Sequence, residues 1–103
     1  YAAIKMLRLF ELETTWKIDQ TSTQECRTEI AAVKYTMAKV LREVSFNALH
    51  ILGSIGTTDL TPIQAMYAAA PTMGIADGVD EVHKATVARN VLKQYRPHEA
   101  GGV

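Results

Sequence analysis

Three carboxylates crowd a short segment of the sequence, residues 75–82. Asp77 and Asp80 lie on either side of Gly78, and Glu81 follows directly. Glycine permits the backbone conformations of a sharp bend. From Asp80 onward apolar residues recur at helical spacing, so these acids stand at or just before a helix N-terminus, where exposed amides favour negative charge. Two interpretations are open: a helix start with favourable charge, or a carboxylate held on a turn beside a substrate.

Size and composition limit the class of protein. The sequence has 103 residues, enough for one domain with a modest core. Basic and acidic residues balance at 11 each, which argues against binding to nucleic acid or to a membrane surface through bulk charge. Cys26 is the one cysteine and cannot form a disulfide within the chain, so we interpret it as an ordinary helix residue. No apolar run is long enough to span a bilayer.

The elements that must position the acids are helices. Apolar residues at three- and four-residue steps predict a first amphipathic helix over residues 1–19. Its apolar positions are Ile4, Leu7, Phe10 and Trp16. Ser22 followed by Glu25 is a capping-box pattern, which predicts the start of a long helix over residues 23–52. Because no Gly or Pro interrupts that helix, we expect it to be the spine against which the others pack.

A long loop is predicted over residues 53–61, directly after the long helix. Long loops in compact helical domains are often functional. Gly53 and Gly56 flank Ser54 in this loop and would let its backbone approach a ligand closely. A plain connection between two helices is the alternative interpretation.

A third helix follows the loop. Thr61 is predicted as its cap, with Pro62 at the first helical position. Proline in a helix interior removes a hydrogen bond, so we expect this helix to kink or end at Pro71.

The last helix is expected to run from Val79 or Asp80 to Tyr95. No strand pattern is present, so the sequence predicts an all-α fold, an up-and-down bundle of about four helices over residues 1–97. Residues 98–103 are expected to form a flexible tail.

Three stretches, taken together, resemble the C-terminal helical domain of acyl-CoA dehydrogenases. They are residues 30–34 in the long helix, residues 48–56 with their glycines, and residues 77–89 with the acidic turn. The acidic turn is closest to a branch of the family in which Asp replaces the usual catalytic Glu. Because the family has an N-terminal helical domain and a middle β-domain before this one, we expect this chain to be a piece of a longer enzyme.

The resemblance implies oxidation of an acyl-CoA thioester at its α and β carbons, with FAD accepting a hydride. Asp77 matches the catalytic base that removes the α-proton. Gly78 matches the glycine behind the base, and Arg89 matches a family arginine on the last helix; both are expected to contribute to substrate binding. A carboxylate desolvated against the acyl chain is basic enough to remove a proton acidified by the thioester carbonyl.

The resemblance also implies a flavin site shared between subunits. His50, Gly53 and Ser54 match the segment that reaches the FAD of a neighbouring subunit. Val79 and Glu81 match positions that contact the flavin or its ribityl and phosphate groups. The implied partners are acyl-CoA, the remaining domains, further copies in a homodimer or homotetramer, and an electron-accepting flavoprotein. The implied compartment is the bacterial cytoplasm or, in a eukaryote, the mitochondrion or peroxisome. Neither nucleic acid nor a metal is implied.

Several positions depart from the family pattern. Asp77 is one methylene shorter than Glu, His50 stands where Gln is common, and Ser54 where Gly is common. Val79 replaces a hydroxyl residue, and residues 68–71 replace an Arg-Asp pair.

These departures support one alternative, a non-catalytic helical oligomerisation module with a degenerate flavin site. The retained acid-glycine turn at Asp77 and Gly78 favours the enzyme. A yellow colour in the purified full-length protein would separate the two.

Overall fold

The computed structural model describes residues 1–95, which form four α-helices and one short 3₁₀ helix. The α-helices are α1 (Ala2–Gln20), α2 (Arg27–Leu52), α3 (Ile63–Met73) and α4 (Asp80–Lys93), and the 3₁₀ helix spans Gly53–Thr57. The part of the chain that is described contains no strand. The prediction of an all-α helical bundle is confirmed. Within residues 1–95, no helix is both long and apolar enough to cross a membrane.

Helix α2 is the spine of the fold, because each of the other three α-helices packs against it. Helix α1 runs antiparallel to α2. Lys17, near the end of α1, reaches Glu29 at the start of α2 with an N···O distance of 3.9 Å. The beginning of α1 shares a cleft with the middle of α2, where Phe10 lies near Thr36 and Val40.

A hydrogen bond and the negative charge of Glu13 raise the pKa of the Lys17 ammonium.

Helices α3 and α4 lie one after the other along α2. The rings of Tyr67 in α3 and Phe46 in α2 are 5.9 Å apart, and the Lys34 ammonium of α2 donates a hydrogen bond to the carbonyl of Met73 at the end of α3. Further along, the amide of Asn90 in α4 donates to the Thr28 hydroxyl at 2.9 Å. Both helices therefore run antiparallel to α2 and in the same direction as each other, so the predicted up-and-down order holds for α1, α2 and α3 but not between α3 and α4. Within the described chain α3 and α4 make no packing contact with each other.

Small residues line the contacts of the spine. Ala31, Ala38 and Ser45 are buried on α2, at steps of seven residues, and Ala70 is buried on α3. Seven residues are nearly two helical turns, so the three positions on α2 share one face. Short side chains on that face allow the helix backbones to approach closely, and larger ones would force them apart.

The predicted apolar face of α1 is only partly buried. Leu7 and Phe10 are half-buried against α2, as their spacing predicts. Ile4 and Trp16, the other two apolar positions of the predicted helix, are 49% and 61% exposed. The exposed side of α1 carries further large apolar residues: Met6, Leu9 and Leu12. The single partner α2 can cover only one side of α1.

The start of α2 differs from the capping-box prediction. The Ser22 hydroxyl accepts a hydrogen bond from the Glu25 amide at 3.2 Å, as a capping box requires. This bond closes a separate turn over residues 23–26, and α2 begins only at Arg27 with Cys26 as its N-cap. The predicted helix start was therefore too early, because the same hydroxyl-to-amide bond stabilises an isolated turn as well as a helix end.

Both ends of α3 also differ from the predictions. Helix α3 begins at Ile63, with Pro62 as its N-cap, and the hydroxyl of Thr61 is buried without a hydrogen-bond partner in the described residues, so Thr61 is not the cap. Pro71 does not end the helix, which continues to Met73. Proline removes only one amide, and the Gly74 amide bonds back to the carbonyls of Ala70 and Pro71 to close the last turn.

The remaining boundaries are close to those predicted. The loop expected over residues 53–61 is shorter, because its first five residues form the 3₁₀ helix. Helix α4 begins at Asp80 as expected but ends at Lys93, two residues before Tyr95. The tail predicted at residues 98–103 and the domain end at residue 97 lie outside the described residues.

A pair of alanine substitutions tests the packing of α3 on α2. Ala70→Leu adds a large side chain to a buried position and should lower the free energy of unfolding by about 1–3 kcal/mol through overpacking. Ala69→Leu, at the exposed neighbouring position, should change it by no more than about 0.5 kcal/mol. Urea denaturation of both variants measures the difference, and equal effects would contradict the buried packing of Ala70.

Candidate functional site

The acidic turn, residues 74–80, connects the end of α3 to the start of α4 and forms the joint between them. The Asp80 amide donates to the carbonyl of Gly74 at 2.9 Å and so closes the turn across its base. Two consecutive residues at its tip have a positive φ: 58° at Asp77 and 103° at Gly78. Asp77 is the one non-glycine residue with this conformation in the described chain. The left-handed region is strained for residues with a Cβ, though Asp tolerates it better than most.

The side chain of Asp77 is exposed at the tip of this turn. An exposed carboxylate on a strained backbone is available to a ligand or to another protein surface, because no packing within the described chain covers it. Strained backbone of this kind is found preferentially at functional sites.

His83 contacts the turn from the first turns of α4. Its ring Nε2 lies 3.1 Å from the carbonyl oxygen of Asp77. The same ring occupies the space beside Gly78, where an added Cβ would lie 3.1 Å from Nε2. Two features therefore favour glycine at position 78: the positive φ of the backbone and the close approach of the imidazole.

Asp80 is the more buried of the neighbouring acids. Its Oδ1 is buried and has no hydrogen-bond partner in the described chain, and its Oδ2 lies close to Gly74. Glu81 is exposed and lines a cleft between α2, α3 and α4. Four other residues give this cleft its chemical character: Tyr35, Lys39, Arg42 and Lys84. The Lys84 ammonium lies 5.7 Å from the centre of the Tyr35 ring.

Arg89 lies on the same side of the joint as His83. Both residues line a groove between the beginning of α2 and α4, together with Arg27 and Lys93. Arg89 is exposed and, within residues 1–95, makes no ion pair with a carboxylate. Val79 is the N-cap of α4 in extended conformation and is 37% exposed. The structure thus places Asp77, Gly78, Val79 and Glu81 at the joint, whereas Arg89 lies nine residues along α4 from Asp80, roughly 13 Å at the rise of an α-helix.

The other predicted site residues lie at the far end of α2. His50 is in the last turn of α2, with its ring 4.6 Å from that of Phe46. Gly53 has a φ of 67°, and a Cβ added there would meet nothing within 4 Å. Ser54 is exposed in the 3₁₀ helix. These residues form an open surface with an imidazole, a hydroxyl and accessible backbone.

Within one chain the two groups of residues do not meet. The joint lies beside Lys34 and Tyr35, and His50 is 15 residues further along α2, which is roughly 22 Å at the rise of an α-helix. Asp77 and residues 50–56 therefore do not line a common groove within the described chain. A site that uses both groups needs surfaces from elsewhere, either other domains or a second copy.

Two features of these regions were not identified from the sequence. The first is the contact of the His83 ring with Asp77 and Gly78. The second is the packing of Tyr67 against Phe46, near His50. Pairings between separate helices leave no local signal, so this second contact needed the tertiary structure.

Comparison with known proteins places the helical domain in a family. Residues 1–92 match the family model for the C-terminal domain of acyl-CoA dehydrogenases. Acyl-CoA dehydrogenase family member 11 of Gallus gallus is 34% identical over 87 residues, which cover 84% of this chain and 11% of that protein. The probable acyl-CoA dehydrogenase FadE2 of Mycobacterium tuberculosis is 33% identical over 100 residues, or 97% of this chain and 25% of that protein.

The element order and the sequence similarities agree on one family. The chain belongs to the acyl-CoA dehydrogenase family and corresponds to its C-terminal domain. It spans about a tenth to a quarter of the length of the two relatives. The resemblance noted from residues 30–34, 48–56 and 77–89 is thereby confirmed at the level of the family.

Two glycine substitutions test the geometry of the turn. Gly78→Ala introduces a Cβ at positive φ and against the His83 ring, and should lower the free energy of unfolding by about 2–3 kcal/mol. Gly53→Ala also introduces a Cβ at positive φ but into open space, and should cost only about 1–2 kcal/mol.

Urea denaturation of the two variants measures the difference, which isolates the contact with His83 from backbone strain. An equal loss in both variants would show that the imidazole yields to the added methyl group without cost.

Proposed function

We propose that this chain is part of an FAD-dependent acyl-CoA dehydrogenase and supplies the base, Asp77, that removes the α-proton of an acyl-CoA thioester. The observation that carries the proposal is the turn at the α3–α4 joint. A carboxylate at its tip has a positive φ, is followed by glycine and is not covered by residues 1–95. Membership of the family supports the reaction class.

A carboxylate suits this step because the thioester carbonyl acidifies the α-proton and the base must accept it within hydrogen-bonding distance. In water an exposed carboxylate is a weak base. Covering the turn with substrate and neighbouring domains would remove water from Asp77 and make it a stronger one. The exposure of Asp77 in this domain is what such a two-sided site requires, since the other side comes from outside the chain.

The residues present at the end of α2 fit a dinucleotide cofactor. His50 and Ser54 can donate hydrogen bonds to phosphate oxygens. The open space beside Gly53 would admit a ligand against the backbone, and a Cβ at that position would fill part of it. When bound, FAD would accept the hydride from the β-carbon. Val79 and Glu81 would contact the flavin from the joint, and Gly78 and Arg89 would contact the substrate.

The separation of the two groups supports a homo-oligomer. His50, Gly53 and Ser54 are too far from Asp77 to meet the same flavin in one chain, so they would hold the cofactor of a neighbouring subunit. The assembled enzyme would also present the joint to an acyl-CoA molecule and, after the reaction, pass electrons to an electron-accepting flavoprotein. The 11–25% coverage of the two relatives leaves ample sequence for the remaining domains.

Replacing the base tests the proposal in the complete enzyme. Asp77→Asn keeps the size of the side chain but removes its basicity, so FAD should stay bound while its bleaching by acyl-CoA slows by about 10²- to 10⁴-fold. Stopped-flow absorbance of the flavin measures the rate. Asp19→Asn, at an exposed acid near the end of α1, is the matched control and should reduce at the wild-type rate.

Bleaching of the Asp77→Asn enzyme at the wild-type rate would remove Asp77 from the role of base. A colourless wild-type protein that acquires no flavin absorbance with added FAD would instead favour the non-catalytic oligomerisation module.

A further inference from the structure

We propose that His83 is a positioning residue that holds the joint in the conformation from which Asp77 acts. The inference rests on the proposed function for its catalytic consequence. Its structural part, that the imidazole holds the turn, rests on contacts within this chain alone. His83 touches neither substrate nor cofactor in this account, and it acts only through the backbone of Asp77.

The turn needs such a restraint because its tip is strained. Asp77 and Gly78 both have positive φ, and a residue with a Cβ in this region costs roughly 1–2 kcal/mol relative to ordinary conformations. The bond from the Asp80 amide to Gly74 fixes the base of the turn but not its tip. Rotation about φ of Asp77 would relieve the strain and swing its carboxylate away, and this rotation would also move the peptide between residues 77 and 78.

The imidazole restrains that same peptide. Its Nε2 lies 3.1 Å from the Asp77 carbonyl oxygen, which belongs to the peptide that joins Asp77 to Gly78. The ring also lies beside Gly78, on the side where a Cβ would be. The side chain of His83 therefore opposes rotation of the tip through one hydrogen bond and one packing contact.

The direction of the hydrogen bond fixes the position of a proton. A carbonyl oxygen only accepts, so Nε2 must carry hydrogen and donate. Both the neutral tautomer protonated at Nε2 and the imidazolium ion satisfy this condition. The groove around His83 also contains cations from both helices: Arg27, Arg89 and Lys93. Whichever charge state the ring adopts among them, the contact with Asp77 persists.

Nε2 donates its hydrogen to the Asp77 carbonyl, so this ring atom cannot accept the substrate proton. The backbone of His83 belongs to the first turn of α4, where its amide donates to the Val79 carbonyl at 3.3 Å. The rigid start of α4 is thus the frame that places the imidazole against the joint.

A pair of substitutions in the complete enzyme tests the role. His83→Leu introduces an apolar side chain of similar size that has no hydrogen-bond donor. It should slow flavin reduction by acyl-CoA about ten- to a hundredfold, as expected for a displaced catalytic group. His83→Gln keeps an N–H donor at similar reach and should restore the rate to within about threefold of the wild type. Thr86→Val, one turn further along the same groove, is the control and should stay within about twofold.

Hydrogen exchange of the complete enzyme, followed by mass spectrometry, tests the structural part without any substrate. Peptides covering residues 74–82 should exchange about three- to tenfold faster in His83→Leu than in the wild type, which corresponds to the loss of one hydrogen bond. The same peptides in His83→Gln should exchange at the wild-type rate.

The outcomes are distinguishable. Faster exchange and slower reduction in the Leu variant, both restored by Gln, support the proposal. A Gln variant as slow as the Leu variant, or a Leu variant with wild-type reduction and exchange, overturns it. If the wild-type enzyme does not reduce its flavin with acyl-CoA, the proposed function fails, and the exchange rates alone decide whether His83 holds the turn.

Discussion

The length of α2 is the constraint on which the rest of the structure depends. Helix α2 has 26 residues, whereas α3 has 11 and α4 has 14, so the two shorter helices placed end to end nearly match the spine. Both are antiparallel to α2 and therefore run in the same direction as each other. The chain does not reverse between them but passes through an offset joint. The acidic turn exists because this joint must be made in a few residues.

The joint concentrates strain and exposure at one point. A connection that keeps direction while shifting the helix axis uses the left-handed conformations found at Asp77 and Gly78. The neighbouring contacts, from the Asp80 amide to Gly74 and from His83 to Asp77, hold this geometry from both sides. The carboxylate at position 77 is therefore placed by backbone geometry and is not enclosed by other side chains of this chain.

The same spine separates the two halves of the proposed site. Because α2 is one continuous helix, its last turn and the joint lie far apart, and no loop within residues 1–95 brings His50 near Asp77. A reaction that uses both halves therefore requires an assembly of this domain with other domains or with a second copy. Within residues 1–95 α1 packs only on α2, so its outer face, with Met6, Leu9 and Leu12, is exposed.

The sequence by itself determined the number of helices, the family and the position of the acid-glycine turn. Helical periodicity and glycine placement are local signals, and the motif spacing at residues 48–56 and 77–89 is carried by the chain alone. The sequence misplaced the start of α2 at residue 23, because a hydroxyl-to-amide bond such as that of Ser22 forms in turns as well as at helix ends. It also predicted that α3 would kink or end at Pro71, although the helix continues to Met73 and the Gly74 amide bonds back to the carbonyls of Ala70 and Pro71.

Only the tertiary structure decided that α3 and α4 lie in tandem, that Asp77 is exposed with positive φ, and that His83 contacts its carbonyl. These features depend on which helix face meets α2 and on how two helices are offset at their joint. Such choices are made by packing between residues distant in sequence, such as Thr28 and Asn90, whose hydrogen bond spans most of the chain. A local pattern carries no information about them, because the free energy that fixes them arises only when the helices come together.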